Sequence, residues 1–314
     1  MSTAPTGVKF RTSINGLPLV KLSRVKRFIP HAHQVGFALN TKRLLSGLSD
    51  TSELSRPHPA LLNAICLWSV ALSRTSGNGV QTDIQTQEHH FLDGVVANSY
   101  DLFDSTDPFK RVQAIQTEIL LAQYFFCCGH PLPGWRHANG AVSFAVMSKL
   151  HRIRSSESPS PNISLSAISG PLGTGSPFDL AEPRDMIEEG ERINVFWSVF
   201  NVDRCWMVAT RMPTGLESVD LANQTDTPWP LEAEDYEKVS PVSVGYSNVL
   251  RVESRCVRLL LDLIGLCDAS WKDKGHNHQT MNPQFPHFVR RHRPYFTNQL
   301  DFQLCGKRVS NIRL

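Results

Sequence analysis

Apolar residues recur at helical spacing along most of this chain, and the stretch Asp185–Met207 carries the densest pattern. Apolar side chains also fill its other faces, which favours a helix buried in a core. Asp185 followed three residues later by Glu188 predicts the start of that helix. The uncharged run between Arg192 and Asp203 is about half of the roughly 20 residues that a membrane span needs. The pattern therefore predicts a core helix.

The charges at the two ends of this run place a condition on the packing. Arg192 and Asp203 are eleven positions apart, about three helical turns, so they share a face and lie about 16 Å apart along the axis. At that distance they do not pair with each other. Because an unpaired buried charge costs several kcal/mol, we expect each of them to find a partner on another element. The helix should then be clamped by its neighbours through packing and ion pairs.

Six further segments show a helical period, and strand patterns are almost absent. Successive helices joined by short or moderate loops favour an all-α fold of stacked antiparallel helices. In the helix near residues 88–103 the pattern places Leu92, Val95, Val96, Ser99 and Leu102 inward, after a polar loop over residues 77–87. The prolines at 131 and 133 are interpreted as the end of the preceding helix. The six segments are Thr41–Leu48, a helix opened by Pro57 and Pro59 and stopped by Gly77, Glu88–Phe103, Pro108–Phe126, Trp135–Leu150 and Val242–Cys267.

Composition divides the chain into three parts. Residues 1–27 show no clear period and read as a low-order basic segment, and residues 268–314 read as a low-order basic tail. Residues 28–267 form the predicted helical domain. Within it, residues 155–182 are rich in Ser, Pro and Gly and predict a long mobile loop, since they offer little apolar area to offset the entropy of ordering.

The net charge of +3 hides an uneven distribution. Residues 1–43 hold eight Lys/Arg and no acid, and residues 268–314 hold eight Lys/Arg and three acids, which leaves −10 between them. Phosphate contacts need such bases, and Lys21, Arg24 and Arg27 with Lys26 form a candidate cluster. No zinc-ligand spacing, helix-turn-helix pattern or heptad repeat supplies base readout, so we expect ordinary solvated charges.

Candidate metal and phosphate sites are weak. Asp101 and Asp104, at i and i+3, could bind magnesium as in all-α isoprenoid synthases, but Pro108 follows closely and no second acidic motif appears. The glycines at 170–176 lack the lysine of a phosphate-binding loop. We therefore predict no metal, no cofactor and no catalytic residue in the chain. The histidine clusters weighed and set aside are Glu88-His89-His90, His31 with His33, and His276 and His278 with His287 and His292.

The seven cysteines stand at positions 66, 127, 128, 205, 256, 267 and 305, with no Cys-x-x-Cys motif. Most of them lie in apolar helical runs, which is typical of buried free thiols in a reducing compartment. The first 19 residues contain no apolar core long enough for a secretory leader, so none is expected.

Ten segments in sequence order resemble the fungal-specific transcription factor domain, the middle homology or xylanolytic-activator-type region of fungal zinc-cluster regulators. The resemblance covers about residues 28–265 and is strongest around residues 189–204. The segments are Phe28–Phe37, Asn40–Leu44, His58–Ile65, Glu88–Leu92, Ala114–Ala122, Trp135–Ala138, Ala141–Ala145, Glu189–Trp197, Phe200–Arg204 and Asp226–Pro230.

This resemblance implies an all-helical regulatory domain of a nuclear protein that is not an enzyme. It implies partners among the transcription machinery or other regulators, a small-molecule inducer in some members, and no membrane. The family's zinc belongs to a separate six-cysteine DNA-binding module, and no cysteine precedes Cys66. DNA would then be reached through a missing module or a partner's module. The residues it implies to be architectural are Glu191, Arg192, Phe196, Trp197, Phe200, Asp203 and Arg204.

Two other hypotheses remain open at this point. An all-α metal-dependent enzyme would use Asp101 and Asp104. A truncated gene product without independent activity would explain the aperiodic basic ends and the absent zinc module. A magnesium titration of Asp101 and Asp104 variants addresses the first, and the sequence upstream of the gene addresses the second.

Overall fold

The computed structural model describes residues 19–50, 52, 55–74, 81–105, 107–153, 179–210, 213, 215–216 and 226–237. Within these residues all regular structure is helical and no strand is present, which confirms the all-α prediction. Two short 3₁₀ helices, Ile29–Val35 and Leu150–Arg152, accompany the α-helices. The α-helices are α1 (Leu19–Phe28), α2 (Thr41–Ser49), α3 (Pro59–Arg74), α4 (Gln81–Phe103), α5 (Pro108–Cys127), α6 (Pro131–Met147), α7 (Met186–Thr210) and α8 (Ala233–Tyr236).

Several helices begin at a capping side chain or at a proline. The side chain of Asn40 accepts a hydrogen bond from the Arg43 amide at 2.9 Å and caps α2. Asp107 caps α5 in the same way, through the Phe109 amide at 2.9 Å. Proline occupies the first position of α3, α5 and α6, where its missing N–H has no intrahelical partner to lose. These caps fix the boundaries that the sequence pattern places within a few residues.

The helices pack in neighbouring pairs around one core. Helix α3 packs along α4, and α5 packs along α6 after a connection of only three residues. Helix α7 then packs against both α5 and α6. Small residues at Ala138, Ala141 and Ala145 are buried on α6 and allow this close approach. Helix α7 therefore lies inside the bundle, as its sequence pattern predicts.

Helix α1 occupies part of the segment that showed no period in the sequence. Its apolar contribution is small, because among the described residues only Val25 and Phe28 are buried. Its basic side chains make contacts within the fold instead. Lys21 donates to the side-chain oxygen of Asn63, Arg24 donates to that of Gln87, and Arg27 donates to that of Ser73. Three of the four proposed phosphate-contacting bases therefore hold α1 on α3 and α4, while Lys26 is exposed.

Helix α4 differs from its prediction in two respects. It begins at Gln81, not near Glu88, so most of the predicted polar loop is helical. Val96, predicted to face inward, is 69% exposed. The inward stripe runs instead through Ile84, Phe91, Val95 and Leu102, which keep a steady helical spacing. Val96 follows the buried Val95 directly, about 100° further around the helix, and so lies outside this stripe.

Helix α6 begins at Pro131, four residues before the predicted start at Trp135. The two prolines do not end α5, as predicted, but form the first turn of α6. Gly129, with a φ of 80°, makes the reversal between the two helices. A proline within the first turn removes no intrahelical hydrogen bond, which is why the sequence pattern permits both interpretations.

Several predictions lie outside the described residues. These are the loop over residues 155–178, the helix Val242–Cys267, the tail over residues 268–314 and the histidines within that tail.

Candidate functional site

Helix α7 is buried on almost every side, as its sequence pattern predicts. Ile193, Val195, Phe196 and Val199 are each at most 2% exposed, and Trp197 is 6% exposed. Such a helix depends on contacts from all its neighbours. The contacts fall into three groups: an aromatic centre, a charged N-terminal end and a polar C-terminal end.

The aromatic centre is built around Trp197. Its indole N–H donates to the carbonyl of Pro228 at 2.7 Å, and its ring stacks on Trp229 with centroids 4.4 Å apart. Phe196 and Phe200 approach the same ring edge-on at 5.5 Å. The one polar atom of the side chain is therefore satisfied, and its rings are enclosed.

Residues 226–237, here called the strap, supply the outer half of this aromatic centre. Thr227 donates its hydroxyl to the carbonyl of Leu150, and the Asp226 amide donates to that of His151 at 2.8 Å. Tyr236, 5% exposed, lies against the backbone of α7 at Gly190. The strap is thus fixed both to the end of α6 and to α7.

The Tyr236 contact gives a prediction for Gly190. A Cβ at position 190 would lie 2.5 Å from the Tyr236 ring. Alanine favours the helix by about 1 kcal/mol over glycine, but overpacking costs about 1–3 kcal/mol. We expect Gly190→Ala to lower the free energy of unfolding by up to about 2 kcal/mol in urea titrations. In a Tyr236→Ala background the same change should be neutral or stabilising; an equal loss there would contradict the contact.

Charged side chains from α7, from the residues just before it and from α2 meet at the N-terminal end of α7. This group, here called the clamp, comprises Arg43, Arg184, Asp185, Glu188, Glu191 and Arg192. At its centre, the carboxylate of Glu188 accepts from Arg192 at 2.7 Å and from Arg184 at 2.8 Å. Burial alone would raise the pKa of Glu188, but the hydrogen bonds from Arg184 and Arg192 lower it below its usual value. Glu188 is therefore a buried, charged and well-paired carboxylate.

This arrangement corrects the predicted partner of Arg192. Its ion-pair partner, Glu188, lies one turn earlier on the same helix. The neighbouring element contributes only a backbone group, because the second Arg192 nitrogen donates to the carbonyl of Ala181 at 2.7 Å. The prediction of a partner on another element is wrong for this ion pair, since the i, i+4 geometry satisfies the charge locally.

Glu191 makes the connection to α2. Its carboxylate accepts from the backbone amide of Asn40 at 2.8 Å and lies 3.4 Å from the guanidinium of Arg43. Arg43 also contacts Asp185 at 2.6 Å. Burial raises the pKa of Glu191 to about 7, against the opposing effects of the Asn40 amide and Arg43.

At the C-terminal end, Asp203 accepts a hydrogen bond from the amide of Gly215 at 2.8 Å. The nearest guanidinium nitrogen of Arg204 is 3.9 Å from its carboxylate, and the same guanidinium lies over the Phe200 ring at 5.4 Å. As at Arg192, the element outside the helix supplies a backbone group to Asp203. This hydrogen bond holds the C-terminal end of α7 to Gly215, and an ion pair between Asp203 and another element stays a prediction.

Sequence reasoning missed the polar side of α5, which anchors several elements at once. Gln116 accepts from the Ala38 amide at 2.8 Å and donates to the Gly36 carbonyl at 3.2 Å. Gln123 accepts from the indole of Trp206 at 2.8 Å. Both glutamines are at most 2% exposed. Their signal was present in the sequence, as glutamines seven positions apart inside an apolar helix.

The described part of the chain contains no cluster of acidic side chains that would bind magnesium. Asp101 and Asp104 are exposed, at the last turn of α4 and just beyond it. No group of three or more His, Cys, Asp or Glu side chains suited to a metal occurs among the described residues. His89 and His90 are both exposed on α4. Of the helices described, none is both long and apolar enough for a membrane crossing.

Comparison with known proteins points to one family. The model of the fungal specific transcription factor domain matches residues 31–267, about three quarters of the chain. No curated protein and no solved structure matches. The matched region includes α2 to α8, with the clamp, the aromatic centre and the strap. Domains of this family are regulatory parts of transcription factors and are normally not enzymes. The chain belongs to the fungal specific transcription factor domain family.

Proposed function

We propose that this chain controls transcription in the nucleus by binding other regulators or the transcription machinery through its helical domain. The family match over residues 31–267 is the observation that carries this proposal. The structural contacts agree with it. The residues of the strongest motif, from Glu191 to Arg204, contact their own chain and hold α7 in the core. They build a scaffold, and partner contacts would be made by the surface that this scaffold supports.

In this proposal the helical domain does not read DNA. Three of the bases that could have contacted phosphate, Lys21, Arg24 and Arg27, are hydrogen-bonded to α3 and α4. DNA would be reached through a zinc-cluster module outside this domain, including one on a partner. An inducer that binds the domain would act by changing how the helices present their surface.

A tethering experiment tests the proposal. The full chain is fused to an unrelated DNA-binding domain and placed upstream of a reporter gene in a fungal cell. We expect the fusion to raise or lower reporter output several-fold relative to the DNA-binding domain alone. Trp197→Ala should abolish the change, because loss of a large buried aromatic side chain costs about 3–5 kcal/mol and removes the scaffold.

The control uses the double variant Asp101→Asn/Asp104→Asn, which alters two exposed positions. It should retain the full effect on the reporter. Loss of the effect in this variant, together with a magnesium-dependent melting shift in the parent chain, would favour the enzyme hypothesis. A fusion that is present at normal levels in the nucleus and leaves the reporter unchanged would contradict regulation through this domain.

A further inference from the structure

Glu191 stands where three elements meet. It lies on α7, its carboxylate binds Asn40 and Arg43 at the start of α2, and the strap contacts the start of α2 as well. There Glu237 accepts from the Asn40 side chain at 3.4 Å and from Lys42 at 2.8 Å. The state of one carboxylate can therefore influence how α2 is held on both α7 and the strap.

The charges around Glu191 are divided unevenly. Arg43 of α2 is its cationic neighbour, and Asp185, just before α7, competes for the same guanidinium. The Asp185 side chain is 49% exposed and has the 2.6 Å contact, whereas the Glu191 side chain is 5% exposed and has the 3.4 Å contact. The more deeply buried carboxylate thus has the weaker ion pair, so its charged form is poorly compensated.

The other nearby charges do not stabilise the charged form of Glu191. Glu188, on the same helix, is anionic and adds repulsion, while its own partners Arg184 and Arg192 are bonded to it. On the strap, Glu237 is a further acid. Lys42 points to that acid, and the hydrogen bond raises the pKa of Lys42, so it stays protonated throughout the neutral range. Among the described side chains at this junction, Glu191 is therefore the group that gains or loses a proton around neutral pH.

We propose that protonation of Glu191 acts as a switch on the junction of α2, α7 and the strap. With the proton bound, the junction is closed. When the proton leaves as the pH rises to neutral, the buried charge favours an open state in which α2 separates from α7 and Glu191 reaches water. If the domain regulates transcription as proposed above, this switch would link its surface to intracellular pH.

The direction of the pH effect on the junction follows from proton linkage. The pKa of Glu191 is about 7 in the folded protein, against a model value of 4.5. A raised folded-state pKa gives stability that is fully present below pH 4.5, falls as the pH rises toward 7 and changes no further above it. The difference between the two values limits the change in the opening equilibrium to about 300-fold. A smaller change is expected if the open state leaves Glu191 partly shielded.

Hydrogen exchange on the full chain tests the switch without any reporter. The amides of α2 between Leu44 and Leu48 are followed from pH 5 to pH 8.5 and corrected for intrinsic exchange. We expect their protection to fall by about 10- to 70-fold across this range and to level off above about pH 7. Glu191→Gln keeps an acceptor for the Asn40 amide and cannot ionise, so its α2 protection should be high and independent of pH.

Two further variants separate titration of Glu191 from general loosening. Arg43→Met removes the cation that faces Glu191, so protection should go on falling to a higher pH before it levels off, even if overall protection is lower. Glu182→Gln removes an exposed acid before α7 and should leave the pH of levelling off unchanged. Protection of α2 that is flat in the parent chain, or that falls equally in Glu191→Gln, would overturn the switch. Neither outcome bears on the tethering result, so the two proposals fail separately.

Discussion

Replacement of Trp197 by alanine is expected to lower the free energy of unfolding by about 3–5 kcal/mol. The ring is 6% exposed and touches three other aromatic side chains, so its removal leaves a cavity that the neighbours cannot fill. It also leaves the Pro228 carbonyl without its indole donor. Chemical denaturation of the full chain, monitored by circular dichroism, measures the loss.

Trp135 provides the matched control for this experiment. Its indole N–H also donates to a proline carbonyl, that of Pro213 at 3.0 Å, but the contact is exposed at the surface. Trp135 is half-buried at the edge of the core, so Trp135→Ala should cost about 2 kcal/mol, from one hydrogen bond and part of an aromatic side chain's burial. Equal losses for the two variants, or a loss below about 1 kcal/mol for Trp197→Ala, would show that α7 is not the centre of the fold.

Replacement of Arg192 by alanine is expected to cost about 3 kcal/mol. The Arg192 side chain is 7% exposed and the Glu188 side chain 3%, so the variant leaves a buried carboxylate with one cation fewer. The cost falls at the lower end of the range for broken buried pairs because Arg184 still contacts Glu188. The loss should shrink at low pH, where Glu188 becomes protonated, since the pKa of Glu188 is lowered only by its arginine contacts.

Arg184→Ala is the matched control, because it removes a cation from the same carboxylate. Arg184 is 60% exposed, so its ion pair is screened by solvent and should contribute less than about 1 kcal/mol. The comparison holds the acidic partner constant and varies only the burial of the base. Two equal losses would show that the difference in burial between Arg192 and Arg184 does not matter for stability.

The sequence was sufficient to predict helices α2 to α7 and the burial of α7, because both follow from local periodicity and the total apolar content of each segment. Phe196 and Trp197 lie in the core for that reason. The same reasoning failed at α1, whose contact with the bundle uses Lys21, Arg24 and Arg27 and few apolar side chains. A helix attached mainly by polar contacts has no stripe for periodicity to detect.

Partners proved harder to predict than burial. The pairing of Arg192 with Glu188 was available from the sequence, since residues four apart on a helix are neighbours. The contact between Glu191 and the Asn40 amide was not, because it joins residues 151 positions apart. A backbone amide also carries no residue type that a pattern could reveal. The stacking of Trp229 on Trp197 is hidden for the same reason of distance.

The contact between Lys42 and Glu237 has a consequence for how the chain folds during its synthesis. The two residues are 195 positions apart, so at about 5–20 residues per second the second follows the first from the ribosome by about 10–40 s. Throughout that time α2 lacks its C-terminal partners. Contacts of such sequence separation also form slowly, because the loop between them must close first. The N-terminal helices are therefore expected to assemble early and to lack their contacts with residues 226–237 until those residues have been synthesised.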